Sequence, residues 1–274
     1  VSPLRLLVTG GSGHLGGEVV RRARGAGWDA VGTSYRTPGP VVLDVRDAGA
    51  VEALVADVAP DCVVHTAYLQ DGPDAWGTNV DGSGNLAAAA AVRGIRLIHV
   101  STDLVFDGRA GRPYTEGDAV HPLLDYGRAK AAAELAVAKR HSEATIVRTS
   151  LIYGGDGPSA HERRILDVLD GRADLAFFTD ELRCPVHVSD LADALLALAG
   201  IAHTGPLHLA GTDGVSRYEL ACLVAVANGR ETTHLRTTTS AGAVPERPRD
   251  CRLDCSRGAA LLGKPLPGVR TVLG

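Results

Sequence analysis

Tyr126 and Lys130 stand four residues apart in Tyr126-Gly127-Arg128-Ala129-Lys130, at the head of an alanine-rich run of helical character. That spacing places both side chains on one helix face. A phenol is a poor proton donor at neutral pH unless a nearby cation stabilises the phenolate, and an ammonium at i+4 supplies that charge. The pair can therefore protonate a carbonyl oxygen. The same spacing also arises on solvated helix faces, so its meaning depends on the elements around it. Thr102 and Asp103 are the next candidates, because they close the apolar run Leu97–Thr102. A hydroxyl there can donate a hydrogen bond to a substrate oxygen, or simply cap the turn that follows.

The elements that would position these groups begin at the N-terminus. Leu4-Arg5-Leu6-Leu7-Val8 reads as a strand, Gly10 to Gly16 as a turn and Glu18–Ala26 as a helix. Gly10, Gly13 and Gly16 form G-x-x-G-x-x-G, a relative of the dinucleotide fingerprint. Glycines let the backbone approach a pyrophosphate while the helix N-terminus presents its N–H groups. His14 and Leu15 lie inside this turn and join it as candidate cofactor contacts. The second strand, Ala30–Ser34, ends about twenty residues further on, where an acid would bind the ribose 2′-hydroxyl of NAD. Ser34, Tyr35 and Arg36 stand there instead, and a hydroxyl with a guanidinium suits the 2′-phosphate of NADP. NADP (as NADPH) is thus the expected cofactor and NAD the alternative, although Arg36 also reads as plain surface charge.

Val41–Val45 reads as a third strand whose end, at Asp44 and Val45, can meet the adenine. Cys62–Ala67 is a fourth strand, and Asn79 opens a long alanine-rich helix through Val92; Ala67, Asn79 and Lys130 complete the candidate cofactor set. Leu97–Thr102 is the fifth strand, Phe106–Pro122 a glycine- and proline-rich loop, and Ala144–Ser150 the sixth strand. Unbroken alternation of strand and helix argues an α/β fold with a doubly wound parallel sheet, where ligands sit at the carboxyl ends of strands. After Tyr153 the alternation weakens. Leu191–Ala199 reads as a helix returning to the first domain. Leu207–Ala210, the helix Arg217–Asn228 and Arg247-Pro248 read as a smaller C-terminal lobe. The expected division is 1–152 with 184–203 for the dinucleotide domain, and 153–183 with 204–274 for the substrate lobe.

Composition bounds the rest. A chain of 274 residues with 45% hydrophobic and 22% charged residues can bury a sizeable core. A formal charge of -4 gives no support for nucleic-acid binding, and no apolar run approaches membrane-spanning length. The sequence opens directly on a strand-like run without a secretory signal, and five cysteines lack disulfide-framework spacing, so a cytoplasmic location is expected. Neither Cys-x-x-Cys nor His-x-x-x-His occurs, so no metal is expected, and no G-x-S-x-G elbow supports a hydrolase.

Together these segments resemble the extended short-chain dehydrogenase/reductase family, in its dTDP-4-dehydrorhamnose reductase branch. The resemblance rests on Gly10-x-x-Gly13-x-x-Gly16, Ser101-Thr102-Asp103-Leu104-Val105-Phe106-Asp107-Gly108, Pro113-Tyr114-x-Glu116, Tyr126-Gly127-x-x-Lys130, Arg148-Thr149-Ser150 and Arg247-Pro248-x-x-Cys251-x-Leu253-Asp254. It implies a Rossmann sheet, NADPH-dependent reduction of a nucleotide-linked 4-keto-6-deoxysugar, and Thr102, Tyr126 and Lys130 as the catalytic set. Thr102, Asp103, Leu104, Leu151 and Arg247 are then the candidate substrate contacts. Leu104, Leu151 and Cys251 stand where the family usually has Tyr, Trp and Ser; the Trp of the family lies against the sugar, so its replacement by Leu151 points to a different keto-sugar. A sugar-nucleotide epimerase or dehydratase, and a non-catalytic subunit that binds NAD(P), are the alternatives. The oligomeric state is left open between monomer and homo-oligomer.

Overall fold

Leu6, Leu7 and Val8 are fully shielded from solvent in the computed structural model, which describes residues 4–37 and 39–274. They belong to β1 (Arg5–Thr9), which leads into α1 (His14–Gly25) and β2 (Asp29–Gly32). Next come α2 (Ala48–Val58), β3 (Cys62–His65), α3 (Gly82–Val92), β4 (Arg96–Thr102), α4 (Asp125–Arg140) and β5 (Thr145–Thr149). The following elements are β6 (Ile152–Tyr153), α5 (Ala160–Leu169), β7 (Ala176–Phe178), β8 (Leu182–Arg183), β9 (Val186–His187) and α6 (Val188–Ala199). Last are β10 (Gly205–His208), β11 (Val215–Ser216), α7 (Arg217–Ala227), β12 (Arg236–Thr238), α8 (Ser256–Leu262) and α9 (Val269–Leu273).

Six strands form the main sheet in the order β10-β5-β4-β3-β1-β2. β1 runs parallel to β2 and β3, and β3 parallel to β4. Helices cover such a sheet on both faces, so its strands are apolar throughout rather than alternating, as in Cys62-Val63-Val64. This is the doubly wound α/β architecture expected from the alternation. The strand order reverses between β1 and β3, and the chain leaves their carboxyl ends at Gly10 and Thr66.

Two expectations need correction. Val41–Val45 is not a strand: Val42 makes a single bridge to Ser34, after which the chain turns, with Asp44 Oδ1 accepting the Arg46 N–H at 3.0 Å. Leu43 and Val45 are apolar because they pack into the core, not because they pair. The strand near Leu207 also starts earlier than expected, at Gly205, and of this run only the residues from His208 onward fall in the second compact unit. It is β10, beside β5 at the sheet edge, with Gly205 N–H on Ala144 O at 2.9 Å. The sheet edge thus falls on this short strand instead of on β5, and a short edge strand offers little template for pairing with another chain.

Packing divides the chain into two compact units. The first takes the chain up to Thr102, with Asp125–Val147 and Ala192–Leu207; the second takes Asp103–Leu124, Arg148–Leu191 and His208–Gly274. Leu7, Val63, Leu86, Leu97, Val137 and Ile146 centre the core of the first, and Tyr153, Ile165, Leu220, Val224, Leu235 and Val269 that of the second. Segment 103–124 therefore departs from the expected boundary. Its Phe106 stacks on Tyr114 at 4.1 Å, and Tyr114 bonds through its backbone to Arg252 O and to the Asp254 N–H, both at 2.7 Å. The loop motifs and the C-terminal motif, far apart in sequence, are thereby knitted into one body.

Candidate active site

Gly10 has φ +73°, and a Cβ there would sit 2.8 Å from the backbone of Ala67 at the end of β3. A Cβ on Gly16 would fall on the Gly10 carbonyl oxygen. Only glycine allows this close passage of turn and helix. α1 starts at Gly13, which has no side chain to cap the first turn, while Leu15 is buried and His14 exposed. A bare helix N-terminus beside a glycine cradle suits a pyrophosphate. The residues present thus fit a dinucleotide. Asn79 bonds the Leu69 N–H and carbonyl at 3.0 and 2.8 Å, so its amide braces the loop leaving β3.

Tyr126 and Lys130 lie in the first turns of α4, and Lys130 is only 3% exposed. Its Nζ donates to the Val100 carbonyl at 2.6 Å, two residues before Thr102, and lies 3.5 Å from His99 Nε2. Burial draws the amine down to about 8, against the opposing charge of Glu134. The Ser101 hydroxyl donates to buried Glu134 at 2.5 Å. The ring of Tyr68, at the exit of β3, lies 5.8 Å from that of Tyr126.

Behind Lys130 runs a polar chain that sequence reasoning missed. Ser83 Oγ donates to Asn79 O at 2.5 Å, so it accepts from His65 Nε2 at 3.0 Å, and His65 Nδ1 then accepts from Thr9 Oγ1 at 2.6 Å. Burial holds His65 down at about 3 and His99 well below the usual imidazole range, with the Lys130 charge adding to both. Both rings are therefore neutral at physiological pH, and Lys130 carries the positive charge. The two histidines sit in apolar strand runs, paired in register across β3 and β4, and one strand alone gives no sign of this.

At the end of β2 the polar groups differ from expectation. Ser34 is buried and its hydroxyl donates to the Val41 carbonyl at 3.4 Å. Val45 is likewise in the core, and Asp44 is held below the usual carboxylate range first by its bonds to the Arg46 guanidinium. Arg36, which the sequence picked out, is exposed, and Arg46, which it did not, stands with it around Tyr35.

Asp103, Leu104, Leu151 and Arg247 belong to the second unit. Asp103 is 2% exposed and accepts from Ser150 Oγ at 2.6 Å, with Arg183 Nε at 3.8 Å. Leu104 is half-buried in a short 3-10 turn, and Leu151 packs against that unit's core. Arg247 pairs with buried Glu181 and lies 4.9 Å over the Phe178 ring. Burial pulls Arg217 down to about 10, helped by the charges of Arg183 and Arg247. Among the described residues, no group of three or more His, Cys, Asp or Glu could hold a metal ion. Among the same residues, no helix is long and apolar enough to cross a membrane.

The family profile for the RmlD substrate binding domain matches residues 4–274. The chain belongs to the RmlD-like extended short-chain dehydrogenase/reductase family. It is 36% identical over 259 residues to dTDP-4-dehydrorhamnose reductase of Mycobacterium tuberculosis (strain ATCC 25618 / H37Rv), covering 89% of this chain and 82% of that protein. It is also 34% identical over 273 residues to methionine adenosyltransferase 2 subunit beta of Bos taurus, covering 92% and 81%. In fold it matches dTDP-4-dehydrorhamnose reductase from Bacillus anthracis str. Ames in complex with NADP, with a TM-score of 0.87 at 24% identity over 100% of this chain and 97% of that one.

Within the RmlD-like family the Cys251 departure has a local explanation. The thiol is fully buried, lies 3.7 Å from the Phe106 carbonyl, and is pushed by burial up to about 12. It is a small packing group with a weak hydrogen bond, as a serine hydroxyl would be in the same place.

Proposed function

We propose that the protein is an NADPH-dependent reductase acting on the keto group of a nucleotide-linked 4-keto-6-deoxysugar. The observation that carries this reading is the Tyr126 and Lys130 pair on α4, with the Lys130 amine buried against β4 two residues before Thr102. The glycine turn and the N-terminus of α1 would hold the dinucleotide's pyrophosphate, as the NADP-bound Bacillus anthracis neighbour encourages. A bound nicotinamide would supply the hydride. Negative charge then grows on the keto oxygen, and Tyr126 gives it a proton while Thr102 donates a second hydrogen bond. Lys130 keeps a positive charge near the phenol and so makes it the stronger acid. Leu104, Leu151 and Arg247 are proposed as substrate contacts, with Asp103 holding its neighbours in place. All five cysteines are free, which fits a reducing cytoplasm.

The charge on Lys130 gives the reaction a pH signature. The ammonium is present below about 8 and is lost above it, so kcat/KM should fall as pH rises through about 8. Glu134 raises the Lys130 pKa. Glu134→Gln keeps an oxygen for Ser101 but removes that charge, so the alkaline limb should move to lower pH. A limb that stays in place in the variant would disconnect Glu134 from the reaction.

The test of the function is absorbance at the reduced-nicotinamide band with a panel of 4-keto-6-deoxysugar nucleotides. Consumption of NADPH with one of them is expected. Leu151 replaces a flat indole with a smaller side chain, so dTDP-4-dehydrorhamnose should be a secondary substrate at best. If it is the best of the panel, Leu151 does not set the choice of sugar. The similarity to the bovine methionine adenosyltransferase subunit favours a second reading, a non-catalytic NAD(P)-binding subunit of a larger enzyme. Such a protein would bind NADPH and leave the absorbance unchanged with every sugar.

A further inference from the structure

Asp74, in the loop between β3 and α3, holds two arginines at once. Its Oδ2 is 2.9 Å from Arg36 Nη2 and its Oδ1 is 2.6 Å from Arg46 Nη1. Both guanidinia lie beside the Tyr35 ring, at 5.9 and 5.6 Å from its centroid, and Arg46 also donates to the Tyr35 hydroxyl at 2.8 Å. Asp44 pairs with Arg46 at 2.7 Å but is tied into its own turn by the Arg46 N–H. The four charges cancel, and the two oxygens that reach across both arginines belong to Asp74. A phosphate between two guanidinia would bind through the same donors in the same charge-assisted way.

We propose that Asp74 is a specificity-determining residue: its carboxylate competes with the 2′-phosphate of the cofactor for Arg36 and Arg46, and so sets the discrimination between NADP and NAD. This rests on the dinucleotide site of the proposed function. The acid that normally selects NAD stands at the end of the second strand, and this chain lacks it there. Here an acid comes instead from the far side of the switch point, from the loop after β3, and acts by occupying the arginines. Removing its charge leaves the cluster with one net positive charge and Arg36 without its carboxylate. The loop itself keeps its anchors, because Asn79 bonds Leu69 and the Asp74 carbonyl accepts the Thr78 N–H through the backbone.

The test is calorimetric titration of the parent protein, Asp74→Asn and Asp74→Glu with adenosine 2′,5′-bisphosphate and with adenosine 5′-monophosphate. These probes differ by the 2′-phosphate and carry no nicotinamide, so turnover does not enter. Asp74→Asn should bind the bisphosphate about 10-fold more tightly than the parent does. The monophosphate should change by less than about twofold, and Asp74→Glu should return toward the parent ratio. An unchanged or lower ratio in Asp74→Asn overturns the proposal. If the parent already favours the bisphosphate in that case, the NADPH reading survives alone. If the parent shows no preference and Asp74→Asn acquires one, the proposal stands and the NADPH preference falls. If neither protein discriminates, both fall.

Discussion

Tyr126→Phe should lower turnover on the true substrate by about 10²–10⁴-fold, with NADPH affinity within about twofold of the parent. The substitution removes one oxygen. The ring keeps its place 5.8 Å from Tyr68, and the Lys130 amine keeps its bond to Val100 O, so neither packing nor the buried charge is disturbed. In the proposed reaction, what disappears is the proton that must reach the keto oxygen as negative charge grows there. Pre-steady-state measurement of NADPH oxidation, paired with a binding titration of NADPH, separates the two effects. A variant that reduces the substrate at close to the parent rate would remove Tyr126 from the chemistry. A variant that loses binding and turnover together would make the phenol a structural group.

The second large effect concerns folding. Glu181→Ala should cost about 3–5 kcal/mol of stability, because it strips the partner from a buried charge cluster. Glu181 is 1% exposed, pairs with Arg247, and lies 3.8 Å from Arg183, which is itself 3% exposed. Asp103 remains near Arg183, but Arg183, Arg217 and Arg247 would then share one buried acid in place of two. Breaking a buried pair is far more damaging than replacing it whole, since the remaining charge cannot be hydrated. Urea denaturation at neutral pH, read by circular dichroism, checks the figure. A loss below about 1 kcal/mol would mean that water reaches the cluster. Arg247, proposed as a substrate contact, would also lose its anchor, so on that proposal a rise in KM should accompany the instability.

The alternation of strand and helix, the glycine turn and the spacing of Tyr126 and Lys130 were legible in the sequence because each depends on local rules. A parallel strand buried on both faces is a short apolar run, a close backbone passage demands glycine, and four residues make one helical turn. The false strand at Val41–Val45 shows where local rules end: burial of Leu43 and Val45 needs the same apolar residues that pairing would. The edge strand β10 was misplaced for the complementary reason, since only the assembled sheet shows that it pairs beside β5.

By itself the sequence determined the α/β class, the family motifs and the candidates Thr102, Tyr126 and Lys130. Only the tertiary structure decided the state and surroundings of those groups. Charge interactions and desolvation act through space, so the basicity of Lys130 is set by its burial against β4, which lowers it, and by Glu134, which partly restores it, not by the residues adjoining it in the chain. The neutral pair of His65 and His99 depends on two strands lying side by side in register. The same holds at the end of β2, where Arg36 was visible in the sequence but Arg46 and Asp74, ten and thirty-eight residues further along, were joined to it only by folding.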